Sequence, residues 1–322
     1  MSDYKVVHGT KVQNIAGDPP APFIGQVWYN TTAGTAKYFF VDPGSWATGG
    51  TMNTARRTFA GAGTKTSALA AGGGQPTVAK TEVYNGTSWT EVNDLNQARL
   101  RLTGCGADNT AALAVSGEVA PGVSAINELW NGTNWTEVNN VNTARQDATA
   151  EGTSTAALFF GGGLPPGDGT IYNSTEVWNG TNWTEVNNLN TARNKPSGSG
   201  LSTAALCFGG KTNAVTAINE LWNGTNWTEV NDLSTARENA AGCGTNTAAL
   251  MFGGYSSTAL TGATELWNGT NWTNKTDLST PRQYLGGTGT STSALAFGGT
   301  PPTTGATEEW NAGPTTNTLG ST

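Results

Sequence analysis

The sequence predicts an all-β protein, a six-bladed propeller of four-stranded antiparallel blades, and three observations lead to that fold. A Trp is followed ten residues later by an Arg six times along the chain. Successive arginines of this series are 43 to 48 residues apart, a period typical of propeller blades and not of ankyrin or leucine-rich repeats. Each repeat contains four short β-rich runs that end in Gly or Asn-Gly, as hairpin-connected strands do. The six pairs are Trp46/Arg56, Trp89/Arg99, Trp135/Arg145, Trp183/Arg193, Trp227/Arg237 and Trp272/Arg282.

The composition is consistent with one large β domain and limits the classes of partner. Gly accounts for 44 of 322 residues, and charged residues for only 12% against roughly 25% in typical proteins. The formal net charge is -7 without basic clusters, which argues against binding to a nucleic acid backbone. The chain starts without an apolar signal-peptide core, and no apolar run is long enough to cross a bilayer. We therefore expect neither nucleic acid binding, nor membrane insertion, nor secretion through a signal peptide.

Residues 1–36 do not match the repeat and are predicted to form a separate leader or attachment segment. The run Asp18-Pro-Pro-Ala-Pro22 is incompatible with a helix or a central strand. A short strand and turn are expected to follow it over residues 25–34. The next run, Lys37–Trp46, is apolar and aromatic and ends on the first Trp of the series, as a strand would.

The four runs of a repeat can be assigned to strands in order. The run after the Arg carries Gly-x-Gly, as in Gly104–Gly106, and is predicted to be innermost, because only small side chains fit where strands crowd the axis. The run does not match the Gly-x-Gly-x-x-Gly motif of nucleotide-binding proteins, since no helix is expected after it and the third Gly is missing. The second, third and fourth strands are expected at Ala204–Gly210, Glu220–Trp222 and Asn226–Val230 in one copy.

The hairpin Trp222-Asn-Gly-Thr-Asn-Trp227 is predicted to join the third and fourth strands. Asn-Gly tolerates the positive φ values of a two-residue turn. Either two-residue register places Trp222 and Trp227 on the same sheet face. We expect that face to stack against the next blade, where each buried aromatic side chain contributes about 2–3 kcal/mol.

The ends of the chain are predicted to close the ring together. The last copy stops after its third strand, with Gly313-Pro314 in place of the second Trp segment. Lys37–Trp46 has the spacing of the missing strand and should complete the sixth blade, so that no edge stays free. The propeller is therefore expected to span residues 37–311, followed by a tail at 312–322.

At this point the chain shows a resemblance to a known family. An Arg at the start of each blade, an apolar strand ending in Gly-Gly, an aromatic residue in the third strand and a Trp in the fourth resemble the kelch repeat, over residues 46–311. The motif Asn-Gly-Thr-Asn-Trp-Thr-Glu-Val, after a leader with Gly-Gln-Val-Trp-Tyr-Asn-Thr-Thr, resembles motifs of kelch-type virion proteins from marine tailed bacteriophages. That resemblance implies a particle component made in the host cytoplasm and attached to other virion proteins through its leader. It implies no catalytic group.

The residues also argue against most cofactor chemistry. The chain has one histidine, His8, so histidine triads, zinc sites and the copper centre of kelch-type oxidases all lack ligands. Cys105 and Cys243 hold the same position in blades three apart, which is too far for a disulfide, and Cys207 replaces a buried apolar residue. We expect free thiols, no metal and no cofactor.

The acidic residues follow the repeat, with two exceptions. Recurrence in every blade is typical of a structural or solvated role, because acid/base catalysis needs two carboxyl groups in unlike environments. Glu151 and Asp168 break the pattern. Glu151 lies on an inner strand and could bind a cation in the channel, although an axis lined by water is an alternative. The recurring positions are Glu82, Glu128, Glu176, Glu220, Glu265 and Glu308 in third strands and Glu91, Glu137, Glu185 and Glu229 in fourth strands.

Variation between the copies indicates where a ligand would bind. It is concentrated in the two residues after each repeat Arg and in the loops after Gly-Gly, which in an antiparallel blade lie on one face, here called the top face. Tolerated drift in loops would produce the same variation, and recognition by this face is the functional interpretation. The candidate ligand-binding residues are Arg57, Arg101, Asp147, Lys195, Glu238 and Tyr284, with Tyr172 and Tyr255 on the surrounding loops.

These observations predict a non-catalytic binding or adhesion module, carried on a phage tail or head fibre and directed at a host-surface glycan or receptor. Two alternatives stay open. One is a carbohydrate-active enzyme of the propeller type that uses Asp147, Glu238 or Asp168. The other is a decoration protein without a ligand.

Overall fold

The computed structural model describes residues 12–74, 76–165 and 169–318, and all regular structure within these ranges is β. His8 and Asp168 lie outside the described residues. Contacts divide the chain into one unit of Met1–Gly44 with Ala312–Thr322 and a second unit of Ser45–Asn311. Within the described ranges, no helix has the length and apolarity needed to cross a membrane.

The first unit contains a small sheet next to Asp18. The carboxylate of Asp18 accepts hydrogen bonds from Trp28 Nε1 at 3.2 Å and Asn30 Nδ2 at 2.8 Å, and it pairs with Lys37 at 2.9 Å. Trp28 is fully buried. The second strand of this sheet pairs parallel with the first and antiparallel with the third. The strands are β1 (Gln13–Ile15), β2 (Val27–Asn30) and β3 (Thr35–Thr48), whose last residues belong to the second unit.

The second unit is a six-bladed β-propeller, as the sequence predicts. Each blade is a four-stranded antiparallel sheet whose innermost strand follows a repeat Arg. Blade 1 has β4 (Ala60–Thr64), β5 (Ser67–Ala71), β6 (Thr81–Tyr84) and β7 (Trp89–Val92). Blade 2 has β8 (Thr103–Asp108), β9 (Ala111–Val115), the loop pair β10 (Glu118–Val119) and β11 (Gly122–Val123), β12 (Asn127–Trp130) and β13 (Trp135–Val138). Blade 3 has β14 (Thr149–Thr153), β15 (Ala156–Phe160), the loop pair β16 (Gly163–Leu164) and β17 (Thr170–Ile171), β18 (Thr175–Trp178) and β19 (Trp183–Val186).

The remaining three blades complete the ring. The inner strands are neighbours in chain order, and the last of them lies beside the first, β4. Blade 4 has β20 (Ser197–Leu201), β21 (Ala204–Phe208), β22 (Asn219–Trp222) and β23 (Trp227–Val230). Blade 5 has β24 (Ala241–Thr245), β25 (Ala248–Phe252), β26 (Thr264–Trp267) and β27 (Trp272–Lys275). Blade 6 has β28 (Gly286–Thr290), β29 (Ser293–Phe297), the first residues of β30 (Thr307–Thr318) and, as its outer strand, the end of β3.

The N-terminal strand closes the ring through Trp46. The Trp46 ring lies 5.3 Å from that of Trp310 in its own blade and 4.9 Å from that of Phe252 in blade 5. Its Nε1 donates to Thr264 Oγ1 at 3.0 Å. The other outer-strand tryptophans occupy the same position, so Trp46 supplies from the N-terminal side what the sixth repeat lacks.

Paired tryptophans fill the space between blades. Trp222 and Trp227 are directly opposite each other in β22 and β23, with ring centroids 5.4 Å apart, so they share a face as predicted. Trp227 also packs edge-on against Phe160 of blade 3 at 5.1 Å. Both tryptophans are at least 95% buried, which makes each blade interface a large apolar contact.

The hairpin between them differs in detail from the predicted Asn-Gly turn. Its centre is Gly224–Thr225, and only Gly224 has a positive φ, +91°. Asn223 does not need the left-handed conformation because its side chain acts as a cap. Its Oδ1 accepts the backbone N–H groups two and three residues further on, at 2.9 and 2.8 Å.

The repeat Arg and the third-strand Glu form a buried ion pair within each blade. Arg193 donates to Glu220 Oε1 at 2.9 Å, to the carbonyl of Ile218 at 2.9 Å and to that of Cys207 at 3.2 Å. This arrangement confirms the structural interpretation of the recurring third-strand carboxylates. The six pairs, 2.7 to 3.0 Å long, are Arg56–Glu82, Arg99–Glu128, Arg145–Glu176, Arg193–Glu220, Arg237–Glu265 and Arg282–Glu308.

Candidate functional site

The second residue after each repeat Arg contributes to a closed ring of backbone hydrogen bonds on the top face. Each of these residues donates its N–H to the carbonyl of the equivalent residue in the preceding blade, over 2.8 to 3.3 Å, and Thr58 of blade 1 donates to Tyr284 of blade 6. All six have a positive φ between 53° and 57°. The ring residues are Thr58, Arg101, Asp147, Lys195, Asn239 and Tyr284.

Four of the six residues in this ring are of types unusual for its conformation, since Asp and Asn adopt it more readily than Thr, Arg, Lys or Tyr. Left-handed backbone costs a residue other than glycine about 1–3 kcal/mol, and glycine fills 27 of the described positions with positive φ. Among the described residues only seven others have a positive φ, and six of these seven form the ring. Residues with side chains therefore occupy the six positions around the axis at which glycine would cost the least backbone strain.

The ring surrounds the opening of a cavity on the propeller axis, here called the mouth cavity. Its volume is about 150 Å³. All six ring residues line it, and the first residues of the inner strands form its walls. Glu151 of β14 lies at its floor and also lines a second cavity of about 220 Å³ further along the axis, here called the lower cavity.

Charges on the ring are paired across blade boundaries. Arg101 of blade 2 donates to Asp147 Oδ2 of blade 3 at 2.7 Å, and its Nε lies 3.3 Å from Glu118 Oε2. Burial lowers the pKa of Arg101, but these two carboxylates raise it by more, so its net pKa lies above the ordinary value. Lys195 of blade 4 pairs with Glu238 of blade 5 at 3.5 Å. Positive and negative groups at the opening therefore neutralise one another.

Tyr284 is the aromatic residue of the ring. It is partly buried, and burial raises the pKa of its phenol. The guanidinium carbon of Arg57 lies 6.0 Å from the centroid of its ring. Tyr284 therefore stays a neutral hydroxyl donor and acceptor beside the opening, with a ring suited to stacking.

The structure brings four of the eight sequence-predicted residues together and places the other four outside the mouth cavity. Arg57 and Glu238 each lie one position before a ring residue. The ring residues at these two places are Thr58 and Asn239. Tyr255 pairs through its backbone with Glu238 in the surrounding loop. Tyr172 follows β17, and its backbone bonds to Gly162 and Arg193 of the blade edge.

Two members of the ring, Thr58 and Asn239, were not predicted from the sequence, for an identifiable reason. Taking the same position after every repeat Arg would have found Thr58 and Asn239. Selection by charge took Arg57 and Glu238 instead. The ion pair of Arg101 with Glu118 was missed as well, because Glu118 lies in a loop whose fold the repeat does not determine.

Among the described residues that line the lower cavity, two are thiols and Glu151 alone is charged. Cys105 and Cys243 line it from blades 2 and 5, and burial raises the pKa of both, so they are neutral. All three cysteines are free, as predicted, and all three are buried. In the described part of the chain, no group of three or more His, Cys, Asp or Glu side chains could hold a metal ion.

The top face can therefore recognise a ligand through hydrogen bonds of both kinds, one aromatic ring and a cavity for one small group. Sites with these properties bind polar, ring-shaped molecules.

The chain matches no protein-family model, and a search of the curated proteins found no similar protein.

Proposed function

We propose that this protein is a non-catalytic binding module that recognises a cell-surface glycan on its top face. The observation that carries the proposal is the strained ring, in which six residues other than glycine adopt left-handed backbone around one cavity. Strained backbone clusters at functional sites, which supports a role for the side chains of this ring. Arg101, Asp147, Lys195 and Tyr284 offer donors, acceptors and a stacking surface to sugar hydroxyls and rings.

The attachment of this module is proposed from the sequence. The kelch-like repeat and the motifs that resemble phage virion proteins favour a virion-associated adhesion protein, held to other virion proteins through residues 1–36. A particle that displays several copies would convert weak single-site affinity into firm adsorption. Antibody labelling of purified particles tests this location, and a protein absent from intact particles would contradict it.

A glycan array with a turnover assay tests the binding function. We expect wild-type protein to retain one class of glycan without cleaving it. A variant with Arg101→Gln, Lys195→Gln and Tyr284→Asn should lose this binding, because it removes the charges and the aromatic ring. Asn tolerates the left-handed backbone at position 284. Circular dichroism and the melting temperature verify that the variant is folded.

The matched control changes the opposite face. Thr133, Thr181 and Thr225 are exposed in the hairpins between third and fourth strands, and replacing all three with Lys should leave glycan binding unchanged. Loss of binding in this control, with binding kept in the top-face variant, would place the site on the opposite face. Cleavage of the retained glycan would favour the enzyme, and labelled particles without any glycan binding would favour a decoration protein.

A further inference from the structure

Glu151 occupies a position where the other blades carry small side chains. It lies in the middle of β14, opposite Leu158, and the residue opposite the equivalent Leu is small in every other blade. It is partly buried and keeps contact with both axial cavities. The equivalent residues are Ala62, Cys105, Ser199, Cys243 and Thr288.

The carboxylate of Glu151 has no protein partner in the part of the chain that the structure describes. Four of its equivalents donate a hydrogen bond to a carbonyl of the next blade, as Ser199 does to Thr245 at 3.3 Å and Thr288 to Thr64 at 3.3 Å. The Glu151 side chain makes no hydrogen bond or ion pair within the described ranges. Its Oε1 instead reaches Gly198 of blade 4, where an added Cβ would lie 3.0 Å from it. The carboxylate is thus directed to the floor of the mouth cavity.

The described residues around Glu151 supply acceptors and no cation. The charges at the opening, Arg101 with Asp147 and Lys195 with Glu238, are already paired. Burial raises the pKa of Glu151 to about 8, because nothing nearby offsets the loss of solvent around its charge. In the β14–β15 ladder, Ala150 is a residue whose backbone groups lie on the unpaired inner edge. Its N–H donates to Thr103 Oγ1 at 3.0 Å, so its carbonyl is the group left on that edge. A carboxylate and backbone carbonyls in one cavity complement a group that is positively charged and rich in donors.

We propose that the mouth cavity is a subsite for a primary ammonium group, which seats against Glu151 and is carried by a sugar. This inference rests on the proposed function, since it names the class of glycan: one that ends in an unacetylated amino sugar. A cavity of about 150 Å³ is the size that holds a benzene molecule, so one small ring at most enters it. A bound ammonium group supplies the partner that Glu151 lacks and lowers its pKa again.

Three matched trisaccharides test the proposal by calorimetry at pH 7, where the sugar amine is still partly protonated and the bound ammonium group itself favours ionisation of the Glu151 carboxyl. The β1,4-linked trisaccharides of glucosamine, N-acetylglucosamine and glucose differ only in the substituent at C2. We expect the glucosamine trisaccharide to bind at least tenfold more tightly than the other two. Glu151→Gln should remove this preference, because it keeps the shape of the side chain and deletes its charge.

Two further variants keep the test decisive. Glu151→Ser gives blade 3 the residue that blade 4 carries as Ser199, so it should fold and should also lose the preference. Glu185→Gln removes an exposed carboxylate from the outer strand of the same blade and should keep the preference, which separates the site from general attraction by the negative protein.

The outcomes distinguish this inference from the proposed function. Glycan binding without a preference for the amino sugar would overturn the subsite and leave the binding function standing. A preference that survives both Glu151 variants would overturn the role of Glu151. Binding of a lysine-rich peptide but not of the glucosamine trisaccharide would overturn the sugar as carrier. Failure of every glycan on the array would reject the proposed function itself.

Discussion

Single residues determine how each blade is held, and the buried ion pair shows this most directly. Arg193 and Glu220 are both fully buried and 2.9 Å apart. Arg193→Ala should lower the free energy of unfolding by about 3–5 kcal/mol, because it leaves the Glu220 carboxylate buried without its counter-charge. Urea denaturation measures this loss.

The control for this prediction removes both charges. Arg193→Met with Glu220→Gln should recover a large part of the loss, since Gln can still accept the backbone N–H of Asn190, now 2.7 Å from Glu220 Oε2. Arg193→Met alone separates packing from charge, because it shares the Met of the double variant but keeps Glu220 ionised. Equal stability of Arg193→Met and the double variant would show that the unpaired charge does not dominate.

The strained ring gives a second prediction at the scale of the residue. Thr58 is β-branched and has a φ of 55°, so Thr58→Gly should raise the free energy of unfolding by about 1 kcal/mol through relief of backbone strain. Thr58→Val keeps the strain and deletes the hydroxyl that donates to the Arg57 carbonyl at 2.7 Å, so it should not stabilise. Thermal unfolding compares the two, and a less stable glycine variant would argue against strain in the ring.

At the scale of the element, one hydrogen bond recurs between neighbouring blades and is missing twice. Trp227 Nε1 donates to Thr175 Oγ1 of the preceding blade at 3.1 Å, and three other outer-strand tryptophans do the same. At two interfaces the Thr position is Asn127 or Asn219. In the described residues, the corresponding Nε1 atoms of Trp183 and Trp272 have no partner, nor do the Oδ1 atoms of these two asparagines.

The missing bond predicts a stabilising substitution. Asn219→Thr should increase the free energy of unfolding by about 1 kcal/mol, because it gives the buried Trp272 N–H an acceptor. The reciprocal change, Thr175→Asn, should reproduce the defect beneath Trp227 and destabilise by a similar amount. Urea denaturation of both variants tests the pair. A destabilised Asn219→Thr would mean that the bond from Asn219 Nδ2 to the Asn231 carbonyl, 3.2 Å long, contributes more than the one gained.

At the scale of the whole propeller, stability depends on a strand from the other end of the chain. Removing residues 1–47 deletes Trp46 and its contacts with Trp310 and Phe252. It leaves blade 6 with an unpaired edge, so we expect an aggregating product. Removing residues 1–30 keeps Trp46 and should give a monodisperse protein. Size-exclusion chromatography compares the two, and a soluble, monomeric product without residues 1–47 would contradict the role of this strand in closure.

The fold could be predicted from the sequence because its determinants are local and repeated. The spacing of Trp and Arg sets the number of blades, and the Gly-bounded runs set four strands in each. Cross-strand geometry places Trp222 and Trp227 on one face whatever the rest of the chain does. The lack of a fourth strand in the last copy was enough to predict closure by Trp46.

The ring around the axis could not be predicted from the sequence beyond the face that its residues share, because its geometry arises when six blades meet. Whether Arg57 or Thr58 faces the axis depends on one backbone φ, and the ring of hydrogen bonds that holds this φ exists only once blade 6 lies beside blade 1. The sequence by itself shows that Glu151 breaks the pattern of the inner strands. Only the tertiary structure decided that its carboxylate faces a cavity with no partner within the described ranges, since burial and pairing depend on the neighbouring blades and not on the order of residues in one strand.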